Sequence, residues 1–229
     1  MENLKLEAVD VDGAVREAAD AVAGDTRLSF LRKGAVAGGA ALSGGAILGA
    51  LIPAGAMAAG KGAPPASFGA GDIGILNYAL TLEYLEATFY DEAAKNNLGK
   101  GNKQLAAFIK QTKFDEDTHV ATLKKALGSK AAKKPKFGFG KAVTDPATFA
   151  ATSYVLENTG VHAYIGQAFN IKNAAYLGVA LSIVTVEGRH AGAIASILGK
   201  KITPSGPFDT GYTASKVLTA VKGTGFIKG

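Results

Sequence analysis

Four stretches of the chain repeat apolar side chains at helical spacing. In residues 71–97, Ile75, Leu76, Ala79, Leu82, Leu85, Ala87, Phe89 and Tyr90 recur with a three-to-four residue period and predict a helix with a wide apolar face. Gly99 and Gly101 interrupt that pattern, and a second helix is expected from about Lys103 to Leu127, closed by Gly128. Asp145-Pro146 reads as an N-cap followed by proline in the first turn, so a third helix should start there and run to about Asn170. A fourth begins after Lys172 and ends at Leu198-Gly199. Between the second and third lies a Lys- and Gly-containing loop, residues 129–145, without helical period. Residues 201–229 carry turn signals at Pro204, Gly206, Pro207 and Gly211 and one short helical segment, Ala214 to Val221.

The N-terminal side is different. Residues 1–33 are polar, with seven acidic and five basic residues, and residues 34–60 hold no charge and are mostly Gly, Ala and Leu. An uncharged stretch behind Arg27, Arg32 and Lys33, with small residues at Ala54-Gly55-Ala56 or Ala56-Met57-Ala58, has the layout of an export signal. Thr26-Arg27-Leu28-Ser29-Phe30-Leu31-Arg32 is similar to the twin-arginine consensus, with Leu28 in place of the second arginine. The expected organisation is therefore a leader at 1–60 that engages the export machinery or the membrane, a helical domain at 61–200, and a tail at 201–229. Export to the periplasm, the cell surface or the exterior is the expectation. An uncleaved membrane anchor and a cytosolic leader are the alternatives.

Composition narrows the chemistry. The chain has no cysteine, which excludes disulfides, thiolate zinc sites and iron–sulfur clusters, so a metal site would have to use Asp, Glu and the three histidines. A net charge of +6 invites an anionic partner, yet residues 60–229 contain one arginine, Arg189, and the lysines spread over loops and helix faces. No specific nucleic-acid partner is expected, because readers of nucleic acid lean on arginine and interleaved aromatics.

The second pair of helices repeats the first. Leu82-Glu83 and Tyr90 align with Leu156-Glu157 and Tyr164 at an offset of 74 residues. Glu116, His119, Leu123, Leu127 and Gly128 align with Glu187, His190, Ile194, Leu198 and Gly199 at an offset of 71. Residues three apart on a helix share a face, so Glu116 with His119, and Glu187 with His190, can ligate one ion together. Four carboxylates turned into one core would repel strongly, and two divalent cations would neutralise them. The lengths agree with such a meeting. Glu83 and Glu116 are centred on the turn at Gly99-Lys100, and Glu157 and Glu187 on Lys172, so each glutamate lies about 23 Å from its turn. The loop at 129–145 can reach roughly 55 Å, enough to cross a bundle of that height.

This pattern resembles the ferritin-like di-metal carboxylate superfamily. Within it, Leu82-Glu83-Tyr84-Leu85-Glu86-Ala87 with Phe89-Tyr90 is similar to bacterial, often exported ferritin-like-domain proteins that include desiccation-related members. The resemblance implies an all-α fold: an antiparallel four-helix bundle with a long crossover between helices 2 and 3. It implies Glu83, Glu116, His119, Glu157, Glu187 and His190 as ligands of two metal ions, with Glu116, Glu187 or both bridging. Tyr90 and Tyr164 match tyrosines standing behind the ligands in that superfamily, and core packing is the other reading of both. Glu86, one turn from Glu83, is an alternative ligand, with Glu83 preferred. His162 is expected at the surface or between helices, and Arg189 to pair with a ligand carboxylate or with solvent. Oxygen and imidazole ligands suit iron or manganese. The implied activity is oxidation of Fe(II) or consumption of peroxide, of the ferroxidase or manganese-catalase type, in stress protection, with small oxidants as partners and a homodimer left open. A structural or cell-surface binding protein stabilised by its metals is the alternative. A third reading makes the loop with Lys130, Lys133, Lys134 and Lys136 a polyanion-binding surface.

Overall fold

The structure, a computed structural model, describes residues 62–228. The export signal expected within residues 1–60 lies outside them. Four long helices form the bundle: α1 (Gly71–Lys95), α2 (Lys103–Leu127), α3 (Pro146–Ala168) and α4 (Ala174–Ile197). A shorter α5 (Ala214–Gly223) follows, and two-residue strands β1 (Lys136–Phe137) and β2 (Ile227–Lys228) pair antiparallel. The helices fall within a few residues of the expected spans. None of them is long and apolar enough to cross a membrane.

Local chemistry sets the helix ends. Side chains of Asn102, Asp145, Asn173 and Thr213 each accept a backbone N–H in the first turn of the helix they precede, satisfying donors that have no partner within the helix. Gly128 ends α2 with φ of 56°, a left-handed conformation that glycine adopts at little cost. Helices α1 with α2 and α3 with α4 form the two hairpins.

The crossover between α2 and α3 lies along α1 and is held to it at both ends. Near one end, Asn77 donates to the carbonyls of Phe68 and Lys130 and accepts from the Ala132 N–H. Near the other, Asn96 donates to the Val143 carbonyl at 2.7 Å. Nineteen residues of helix separate these two asparagines, so the crossover traverses about 28 Å of the bundle. That traverse places the second hairpin antiparallel to the first across the core. It also explains why α1 is buried on nearly all sides rather than along one stripe, since α2, α3 and the crossover surround it.

Two apolar clusters fill the interior. One is aromatic: Phe89 stacks on Phe149 with ring centroids 4.9 Å apart, and Tyr90, Phe108 and Phe139 pack around them. The other, toward the α3–α4 turn, holds Leu76, Leu80, Leu123, Leu127, Ala180 and Ile183.

The C-terminal tail is part of the packed unit. Ala214, Val217 and Val221 of α5 join the aromatic cluster, and β2 pairs with β1 of the crossover. Its path crosses α3 at Gly166, where an added Cβ would stand 1.8 Å from the Tyr212 carbonyl oxygen. Two-residue strands leave no readable alternation in sequence, so the pattern of the chain gave no sign of this pairing.

The crossing at Gly166 yields a direct expectation. Gly166→Ala should expel the tail from α3 and destabilise the protein by about 1–3 kcal/mol, the usual cost of overpacking. Lower thermal stability with faster proteolysis confined to residues 203–228 would verify it, and an unchanged melt would contradict it.

Candidate metal centre

Each long helix turns one glutamate inward at the same level. Glu83 on α1, Glu116 on α2, Glu157 on α3 and Glu187 on α4 are all 0% exposed. His119 and His190, one turn beyond Glu116 and Glu187, are buried beside them. These six side chains form two overlapping sets: Glu83, Glu116, His119 and Glu187, and Glu116, Glu157, Glu187 and His190. Within each set one ligand atom from every residue lies within 4.8 Å of the others. Glu116 and Glu187 belong to both sets, so their carboxylates stand between the two positions.

The imidazoles face inward through Nδ1. His119 Nδ1 lies 3.2 Å from Glu83 Oε2, 3.3 Å from Glu116 Oε2 and 3.2 Å from Glu187 Oε1. His190 Nδ1 lies 3.1 Å from Glu116 Oε1 and 3.2 Å from Glu157 Oε2. Although these last three atoms are close, none makes an aligned hydrogen bond, and both oxygens of Glu187 are likewise without one. Buried polar atoms in native proteins are nearly always paired. Lone pairs that crowd within 3.3 Å without addressing one another are aimed at shared space. A metal ion fits that space, since cations satisfy carboxylate and imidazole lone pairs together.

Electrostatics of the metal-free cluster points the same way. Burial, then the negative charge of Glu83, pushes the Glu116 carboxyl up to about 8. Burial and the neighbouring Glu116 raise Glu187 well above the usual carboxylate range. Burial pulls the other way on the histidines, but hydrogen bonds and charge from the glutamates prevail: His119 is raised strongly and His190 is pushed up to about 12. Glu83, also opposed by burial, is held below its ordinary value by its hydrogen bond to His119 and that ring's charge. Without metal, these raised values let protons offset part of the negative charge in the cluster.

The residues behind the cluster follow the duplication. Tyr90 on α1 donates to Glu157 Oε1 on α3, and Tyr164 on α3 donates to Glu83 Oε1 on α1, so each hairpin braces the other's first glutamate. Burial followed by the adjacent carboxylate keeps both phenols well above their ordinary pKa, hence as donors. Tyr90 also shares a 2.6 Å hydrogen bond with Ser153.

Elsewhere the two halves differ. His190 Nε2 lies 3.0 Å from Asp115 Oδ2, and Gln111 donates to both oxygens of Asp115. Asp115 therefore fixes the ring so that Nδ1 faces the carboxylates. The residue that the repeat aligns with Asp115 is Val186. Sequence reasoning missed Asp115, which sits among Lys113, Asp117 and other charges of a solvated face and reaches His190 only across the helix interface. Glu86 is buried too, at 4% exposure, but belongs to neither set. Gly160 lies between it and Glu187: an added Cβ there would stand 3.1 Å from Glu187 Oε2, tighter than ordinary contact, and 3.7 Å from Glu86 Oε1. Burial and then the charge of Glu187 raise the Glu86 carboxyl well above its usual value.

His162 and Arg189 lie apart from the six. His162 is buried against the tail: it stacks on Tyr212 with ring centroids 4.1 Å apart, and its Nδ1 contacts the Thr210 carbonyl. Arg189 is exposed and makes no ion pair within 4.0 Å among the described residues.

Comparison with known proteins agrees with this geometry. Residues 71–200, more than half of the 229-residue chain, match the model of the ferritin-like domain. No curated protein matches. The chain belongs to the ferritin-like domain family, and its buried Glu/His groups could bind metal.

The proton load of the metal-free cluster predicts how stability follows pH. Glu116, Glu187 and Glu86 have folded-state pKa values above the unfolded 4.5. Their contribution is complete below pH 4.5 and is lost as pH rises through the folded values, about 8 for Glu116. His119 and His190, raised above 6.5, lose theirs progressively from pH 6.5 upward. Glu83 acts oppositely, and its contribution fades only below pH 4.5. Chelator-treated protein should therefore melt roughly 5 °C lower at pH 8 than at pH 5. The gain in melting temperature on adding Mn(II) should grow over the same range, because metal competes with protons. Scans with and without metal at pH 5, 6.5 and 8 would check both trends.

Proposed function

We propose that this protein holds two ions of iron or manganese between its four helices and uses them in redox chemistry with Fe(II), dioxygen or peroxide, protecting the cell against oxidative or drying stress. The observation that carries this reading is the sharing of Glu116 and Glu187 by two adjacent Glu/His sets. Four carboxylates offset two divalent cations, and mixed oxygen and imidazole donors suit iron and manganese. Glu83 and His119 would complete one position, Glu157 and His190 the other, with Glu116 and Glu187 between them. Bound there, a redox-active metal pair would supply the electrons for reduction of dioxygen or peroxide.

The chain's own residues support such chemistry in definite ways. Tyr90 and Tyr164 donate to Oε1 of Glu157 and of Glu83, which leaves Oε2 of each facing the histidine of its own set. Asp115 holds His190 with Nδ1 inward, the orientation a ligand needs. The apolar clusters on either side exclude bulk water and strengthen every charge interaction in the layer between them.

We also propose export by a twin-arginine-like route. What supports it is the order of residues in the leader: Arg27, Arg32 and Lys33 ahead of the uncharged stretch at 34–60.

Fe(II) added in air to metal-free protein should give a near-ultraviolet band that Glu187→Ala or His190→Ala abolishes. No bound metal and no band would end this reading. Metal that raises the melting temperature without turnover of Fe(II) or peroxide would instead make the protein a structural or binding module. Asp115→Ala should weaken metal binding by roughly 10–100-fold while leaving the bundle folded, as loss of a ligand's orienting partner does. Metal titration alongside circular dichroism would measure it.

A further inference from the structure

The two hairpins leave a groove between α2 and α4 of about 710 Å³. Ala107, Phe108, Val186 and Ala193 contribute to its apolar walls. Its remaining lining includes Gln111, Asp115, Arg189 and His190, so it adjoins the outer side of the metal cluster. The opposite face of the bundle, along α1 and α3, is covered by the crossover and the tail.

Thr112 also lines this groove, and its state is unusual. It is 1% exposed, and its Oγ1 has no hydrogen-bond partner. Other helical threonines, Thr81, Thr88, Thr118, Thr159 and Thr219, donate to the carbonyl four residues back. Thr112 does not. It stands one turn before Glu116 on the same face of α2, and the Glu116 Oε1 is likewise without a hydrogen-bond partner. The repeat puts Ile183 at the equivalent place on α4, so bundle packing does not call for a hydroxyl there. An unpaired buried hydroxyl costs about 1–3 kcal/mol and is expected to have a partner.

We propose that the α2–α4 groove is the path by which small polar reactants reach the metal cluster, and that Thr112 is the docking residue at its inner end, hydrogen-bonding a ligand of the size of water or hydroperoxide. The inference rests on the metal-site reading given above. Gln104 and Gln111 line the polar side of the groove with one acidic residue, Asp115, and one basic residue, Arg189, so neither charge sign is turned away, as suits both hydrated cations and neutral peroxide. The groove itself is far wider than such ligands, and Thr112 supplies the selective contact.

Co(II) uptake by metal-free full-length protein, followed by its visible absorption, tests the path. Ala193→Trp, which fills the groove, should slow Co(II) association and dissociation by the same factor and leave the equilibrium affinity unchanged, because an obstacle outside the site alters rates alone. Lys110→Trp, on another face of α2, should alter neither. Azide binding to the Co(II)-loaded protein tests Thr112: Thr112→Val should weaken azide roughly tenfold, and Thr112→Ser should restore it. Cobalt content has to stay at the wild-type level in both variants. Wild-type protein that takes up no Co(II) would overturn the metal reading itself. Normal wild-type uptake with unchanged rates in Ala193→Trp would overturn the path alone. Equal azide affinity in Thr112→Val and wild type would overturn the docking role.

Discussion

Four carboxylates packed into one layer of a bundle, each fully removed from water, are the constraint that everything else in this structure serves. A buried carboxylate without a partner is among the costliest features a protein can hold. Glu83, Glu116, Glu157 and Glu187 are kept at one level by helices whose lengths, caps and connection are set so that they meet. Burial, and then the charge of neighbouring carboxylates, raises the Glu116 and Glu187 carboxyls, while hydrogen bonds to the glutamates and their charge raise His119 and His190 against their own burial. Such a cluster is tolerable only with positive charge inside it. Protons supply it in the metal-free state, and cations would supply it more fully.

The fold provides the rest of that tolerance through rigid support. Hydrophobic clusters on both sides of the polar layer fix the helices, so the carboxylates cannot relax toward water by small shifts. Asn77 and Asn96 hold the crossover to α1, and the crossover in turn commits the second hairpin to its direction. Asn77 is buried, so breaking its bonds to the crossover would strand polar groups in the core, and Asn96 adds a second tie nearer the surface. The tail adds a further strap, with α5 inserted into the aromatic cluster.

Much of this was legible in the chain itself. A glutamate amid apolar positions, repeated in four helices and joined twice by a histidine three residues on, is visible because period and chemistry disagree there. Glu83, Glu116, Glu157 and Glu187 stood out for that reason, and the equal spacing from the two turns placed them at one height. The fold class followed from the same pattern. Asp115 and Thr112 did not stand out, because each looks ordinary on its own helix and acquires its surroundings only when α4 is set beside α2. Gly166 was silent for a similar reason: a glycine inside a helix can mark close approach of another backbone, but only the path of the tail shows which one. Asn77 and Asn96 read as unremarkable helix residues until the crossover is laid against α1.

The duplication explains both the symmetry of the cluster and where that symmetry stops. The innermost positions obey the repeat: one glutamate and one Glu-His pair per hairpin, and a tyrosine from each hairpin donating to the other's glutamate. One layer further out the repeat fails, with Glu86 against Gly160, Asp115 against Val186, Thr112 against Ile183, and Ser153 against Ala79. Three of these polar members lie on the first hairpin and Ser153 lies on the second. They give the two sets unequal surroundings, since Asp115 holds only His190, while Glu86 adds a buried carboxyl where the second hairpin has Gly160. A cluster serving stability alone would need no such inequality, because identical halves would neutralise charge equally well. Polar groups that depart from the repeat, most of them on the first hairpin, instead give the two Glu/His sets different neighbours.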